Sequence, residues 1–117
     1  MDSALSYGKK AIFASEKLNA STLLSQIYSD LGAVHFRNND FINSEKNYLK
    51  SYQIRKKQNN IAGIAKLNNN LASVYQSTFQ YKKAMTMYLE ALKYFESKED
   101  LKNVNFTKAN IGLLFID

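Results

Sequence analysis

A chain of 117 residues, 45 % hydrophobic and 22 % charged, is long enough for one domain with a buried core. The absence of cysteine excludes a disulfide framework and cysteine-ligated metal and leaves cytoplasm and periplasm equally open. The net charge of +6 raises nucleic acid as a partner, while no stretch nears the roughly 18 apolar residues of a membrane span, so no membrane contact is expected of this segment.

The first expected element is a helix over 2–17, with Asp2 or Ser3 as its cap and Ala4, Leu5, Gly8, Ala11 and Ile12 as its buried stripe. Asn19-Ala20-Ser21 reads as a break, with Ser21 capping a second helix that runs to about Arg37. That helix should bury Leu24, Ile27, Tyr28, Leu31, Val34 and His35. Asn38-Asn39-Asp40 forms a turn, because asparagine tolerates left-handed backbone and aspartate caps the next helix. A helix over about 41–57 then buries Phe41, Ser44, Tyr48, Ser51 and Tyr52. It closes on Arg55-Lys56-Lys57, where cations suit the negative end of the helix dipole.

Gln58-Asn59-Asn60 breaks the chain again, and further helices are expected over about 61–77, 81–97 and 101–116. Phe79 stands where Asn39 stands in the earlier turn, so that turn is expected to differ. No strand alternation is visible, and connections of three to five residues force successive helices to pack antiparallel.

One hairpin is written more than once. Leu31-Gly32-Ala33-Val34-His35 returns after 40 residues as Leu71-Ala72-Ser73-Val74-Tyr75, and again as Ile111-Gly112-Leu113-Leu114-Phe115. The second halves also recur, Phe41, Ser44, Tyr48 and Ser51 answering Tyr81, Ala84, Tyr88 and Ala91, with Ala4, Gly8 and Ala11 in phase before them. A hairpin cannot bury both its faces alone, so each copy needs the next. The reading is a single domain over 1–117: the second helix of a partial repeat (2–19), repeats at 21–57 and 61–97, and the first helix of a truncated repeat (101–117). Most of the lysines, from Lys9 and Lys10 to Lys93, and with them Arg55, fall on the second helices or adjoining turns. Such a spread is a solvated outer surface rather than a phosphate groove, which disfavours nucleic acid.

These residues resemble the tetratricopeptide repeat, whose hairpin carries Leu-Gly and an aromatic in its first helix and Ala, aromatic, Ala in its second. Leu31-Gly32 with His35, Ser44, Tyr48 and Ser51 fits with two serines for alanines; Leu71-Ala72 with Tyr75, Ala84, Tyr88 and Ala91 fits more closely. The unit is 40 residues instead of the usual 34, so longer helices are expected. Long units with Asn68-Asn69-Asn70-Leu71-Ala72 and Asn110-Ile111-Gly112 look like kinesin-light-chain repeats and the sensor regions of bacterial histidine kinases and regulators. The resemblance implies an all-α superhelix (solenoid) of about six antiparallel helices. It also implies a non-catalytic protein- or peptide-binding scaffold, the input region of a larger bacterial signalling protein, with no cofactor.

On this reading the first helices line a concave groove, with Asn69, Asn70 and Asn110 as binding candidates and Asp30, Arg37 and Lys66 on the same face. An amide side chain offers a donor and an acceptor, matching the N–H and C=O of an extended partner chain. Ser29 and Ala33 stand where a chaperone-type carboxylate clamp needs Lys and Asn, so that clamp is not expected. His35, the one histidine, occupies the aromatic slot of Tyr75 and Phe115 and reads as a packing residue. No paired carboxylates, Ser/His/Asp set or metal-ligand spacing is visible, so neither an enzyme nor a metal site is expected. Ile111, Leu114 and Phe115 would expose apolar surface at an uncapped end, which makes the chain part of a longer array or lets copies associate. The competing functions are a standalone self-associating adaptor or assembly factor and a helical-repeat nucleic-acid binder.

Overall fold

The computed structural model describes the backbone of residues 3–115 and the side chains of Ala14 and of residues 16–115. The expected cap at Asp2 and the stripe of Ala4, Leu5, Gly8, Ala11 and Ile12 lie outside the described residues and side chains. Five helices follow one another: α1 (Ser3–Arg37), α2 (Phe41–Lys57), α3 (Ile61–Ser77), α4 (Tyr81–Ser97) and α5 (Leu101–Leu113). Among the described residues there is no strand. α1 pairs with α2 and α3 with α4, while α2 against α3 and α4 against α5 join the pairs into a body 70 × 33 × 19 Å. This is the expected all-α solenoid, with the count of about six met by five.

The difference lies in α1, which is continuous for 35 residues through the expected break at Asn19-Ala20-Ser21. One difference from the starts of α2, α3 and α5 is a missing cap, although α4 also starts without a side-chain cap bond, at Gln80. In the 40-residue register Ala20 stands at the place of Asn60 and Asp100, whose side chains accept from Gly63 N and Asn103 N. Alanine has no acceptor to offer and is the best helix former. Thr22 and Ser25 turn their hydroxyls back on Leu18 O (3.0 Å) and Thr22 O (2.8 Å), so their side chains stay within the helix.

The four real turns are built alike. Each of the first four helices ends on a left-handed residue, Asn39, Asn59, Phe79 or Glu99, at φ of 60, 53, 65 and 54°. In each, the following N–H reaches back to close the helix end: Asp40 to His35 O (2.8 Å), Asn60 to Arg55 O (2.9 Å), Gln80 to Tyr75 O (2.7 Å) and Asp100 to Phe95 O (3.0 Å). The expectation that the Phe79 turn differs is therefore corrected. Packing of α3 on α4 imposes the same reversal, and Phe79 accepts the strained conformation while 79 % exposed as a residue. Helices α2, α3 and α4 each have 17 residues and the turns three, so the extra length of the unit resides in the helices, as expected.

The core sits between the pairs. Leu67, Leu71, Ala72, Val74 and Ala84 are fully buried with Tyr48, Tyr75 and Tyr88, and a second cluster joins Ala65, Ala91, Phe95 and Val104. Tyr48 lies flat on Gly32: a Cβ there would stand 2.6 Å from the ring, which is why the small residue is needed. Ser44 and Ser51, in place of alanines, are buried and donate to Gly32 O (2.8 Å) and Ser25 O (2.7 Å), fastening α2 to α1.

Two burial expectations are overturned. Leu24, Ile27, Leu31 and Val34 are 42, 45, 41 and 42 % exposed, because α1 runs straight and nothing among the described residues covers that face; Tyr28 and His35 are half-buried. Arg55, read as part of the solvated surface, is buried at the place that Phe95 holds in the next repeat. Its Nη1 donates to Gly63 O at 2.9 Å, and burial lowers its pKa while the charge of Asp30 pulls it back up.

Candidate functional site

Helix α3 has two unlike flanks. One carries Leu67, Leu71 and Val74 into the core; the other presents Lys66, Asn70, Ser73 and Ser77, spaced by one helical turn and open or half-open to solvent. The same offsets select Gln26, Asp30, Ala33 and Arg37 on α1, and Phe106, Asn110 and Leu113 on α5. α1 touches α3, and α3 is hydrogen-bonded to α5, so the first helices form one layer and their stripes run side by side. Five of the six expected groove residues, Asp30, Arg37, Lys66, Asn70 and Asn110, stand on these stripes.

Asn69 does not. It is 5 % exposed, its Nδ2 donates to Thr107 Oγ1 (3.0 Å), and Thr107 Oγ1 donates in turn toward its Oδ1 (3.2 Å). One position along a helix turns a side chain by about 100°, enough to carry Asn69 from the stripe into the seam with α5. Its amide is used in joining repeats. Among the described residues, by contrast, the side-chain amides of Asn70 and Asn110 have no hydrogen-bond partner.

The stripe is held from behind. The Tyr88 phenol of α4 donates to Gln76 Oε1 (3.0 Å) and lies 3.1 Å from Ser73 Oγ. Burial pushes the Tyr88 pKa up, with the Ser73 contact acting in the opposite sense, so the phenol keeps its proton and remains a donor at neutral pH. On α1, Gln26 Nε2 donates to Asp30 Oδ1 at 2.9 Å. Gln26, Ser73, Gln76 and Phe106 escaped the sequence reading, although 40-residue offsets from Lys66 or positions one turn from Asn70 would have found the first, second and fourth.

His35 lies in the last turn of α1, its Nδ1 3.5 Å from Asp40 Oδ2 and its side chain 32 % exposed. At the far end Ile111 and Leu114 are half-buried against the main core, and Phe115 alone of the three expected self-association residues is largely exposed, at 74 %. Among the described residues no group of three or more His, Cys, Asp or Glu side chains is placed to hold a metal ion, and no helix is long and apolar enough to cross a membrane.

Two antiparallel hairpins in a 40-residue register, stacked through small-residue seams and presenting one polar stripe per first helix, define an α-α repeat scaffold. The family model described as tetratricopeptide repeat matches residues 23–97, from the second half of α1 to the end of α4. The chain belongs to the tetratricopeptide repeat family. No curated protein and no solved structure matches it.

Proposed function

We propose that the layer of first helices binds an extended segment of a partner protein without catalysing a reaction. The observation that supports this reading is the recurrence of an unoccupied amide, Asn70 and Asn110, at the same place in consecutive repeats, beside charged Asp30, Arg37 and Lys66. An extended backbone brought along the layer meets a donor-acceptor pair at each repeat, and the three charges select the side chains on either side. The chain then serves as the interaction region of a larger bacterial signalling protein, a placing that rests on the resemblance of its long repeat units.

The test is selection of displayed extended peptides against the 117-residue chain, followed by titration of the selected sequences into Asn70→Ala/Asn110→Ala. Loss of two side-chain-to-backbone pairs, each about 0.5–1.5 kcal/mol, lowers affinity roughly fivefold to a hundredfold while helicity is unchanged. Undiminished affinity removes the groove assignment.

A further inference from the structure

The apolar stripe of α1, Leu24, Ile27, Leu31 and Val34, is 41–45 % exposed. Leu67, Leu71 and Val74, the counterparts of the last three in the 40-residue register, are 0 % exposed because α2 lies across α3. The two faces share their chemistry and differ only in having a cover. A cover of the right pattern exists in the same sequence. Gly8, Ile12 and Ser15 stand 40 residues before Tyr48, Tyr52 and Arg55, the α2 residues that belong with the α3 core or reach α3 directly. Ala4 and Ala11 likewise precede Ser44 and Ser51, the small residues of α2.

Residues 3–17 cannot reach that face within their own chain, because they continue α1 as a rod and each residue carries them about 1.5 Å further from it. We infer that a second copy supplies the cover: two α1 helices lie antiparallel about a two-fold axis near Asn19, residues 3–17 of each copy lying on the Leu24–Val34 stripe of the other. The arrangement is isologous and closes at two copies. Every contact in it is one that a hairpin turning at residues 18–20 would make within one chain, so exchange costs no contact and removes a turn that lacks its cap. A cleft of about 420 Å³ between Ala14, Leu18 and Ser21 of α1 and Ile54 of α2 leaves room beside the crossing point.

The register also supplies a test. Arg55 Nη1 bonds Gly63 O at 2.9 Å, and a Cβ built on Gly63 would meet Arg55 Cδ at 2.9 Å, so residues 55 and 63 are neighbours across the α2–α3 seam. Their counterparts are Ser15 and Leu23. Within straight α1 these lie about 12 Å apart along the axis, beyond disulfide reach. The chain has no cysteine of its own, so Ser15→Cys/Leu23→Cys gives an unambiguous bridge. Oxidation at micromolar concentration is expected to give a covalent dimer on a non-reducing gel. An internal bridge in a monomer would show that the segment folds back on its own chain, and no bridge would show that residues 3–17 do not cover the stripe; either result overturns the inference. In light scattering, Leu31→Asp, a change at a site exposed in the single chain, is expected to turn a wild-type dimer into a monomer of unchanged helicity. A wild-type monomer, or a dimer that survives the substitution, overturns it equally.

Discussion

The residue-scale feature with the clearest energetic consequence is Phe79, a bulky side chain held at φ 65°. Left-handed backbone costs a non-glycine residue roughly 1–2 kcal/mol, and Asn39 and Asn59 show which residue the same turn accepts at lower cost. Against this stands the edge contact of the Phe79 ring with Tyr81, at 6.3 Å between centroids and 81° between planes, in a largely exposed setting. Aromatic pairs are worth about 0.5–1.5 kcal/mol when well buried, so this one falls at or below the low end. Phe79→Asn is therefore expected to stabilise the chain by about 0.5–1 kcal/mol and to raise its thermal midpoint by a few degrees. A lowered midpoint in calorimetry would show that the ring contact outweighs the strain.

At the scale of the element, the starts of α2, α3 and α5 are capped by side-chain acceptors, while α4 starts at Gln80 without one. Asp40 Oδ1 accepts from Asn43 N at 3.2 Å and Asp100 Oδ1 from Asn103 N at 3.3 Å, and in each pair the asparagine amide donates to the second carboxylate oxygen at 2.7 Å. The side-chain bond from Asn43 or Asn103 is the chief cause holding these carboxyls below the ordinary 3.8, with the backbone bond next and smaller contributions from His35 at Asp40 and from Lys66 and Lys102 at Asp100. A carboxyl whose pKa is depressed by folding stabilises the fold above its unfolded value and loses that contribution as pH falls through the folded one. The starts of α2 and α5 should thus be unaffected from neutrality down to about pH 5 and loosen below about pH 4. In an NMR titration the amide protons of Asn43 and Asn103 should report midpoints under 3.8; midpoints at or above 3.8 would contradict the capping account. The same acceptors explain what could be read from the sequence. Asp40, Asn60 and Asp100 announced three turns correctly. Asn19-Ala20-Ser21 shares the asparagine of the first two but has no acceptor at Ala20, and the helix continues through it. The chain does turn at Gln80, which also makes no cap bond. Asn69 was illegible for another reason: its partner Thr107 lies 38 residues away, in a contact no local pattern encodes.

For the whole molecule, stability depends on which faces of the repeats are covered. Leu71 and Leu31 are the same residue at the same place in successive repeats, one 0 % and the other 41 % exposed. Truncating a buried leucine to alanine costs about 2–5 kcal/mol, the lost transfer energy adding to the cavity left behind. At Leu31 only part of the side chain leaves water within one chain, so about 1 kcal/mol or less is expected. Exchange of residues 3–17 between copies would change the second figure and not the first, since association stabilises the folded chain by mass action. Denaturant unfolding at two protein concentrations roughly a hundredfold apart separates the terms. Leu71→Ala should lose the same stability at both, while the loss for Leu31→Ala should be small in dilute solution and grow toward that of Leu71→Ala as the protein is concentrated. A large loss for Leu31→Ala already in dilute solution would mean that α1 is covered within a single chain, and its straight course past Asn19 would then have to give way to a turn.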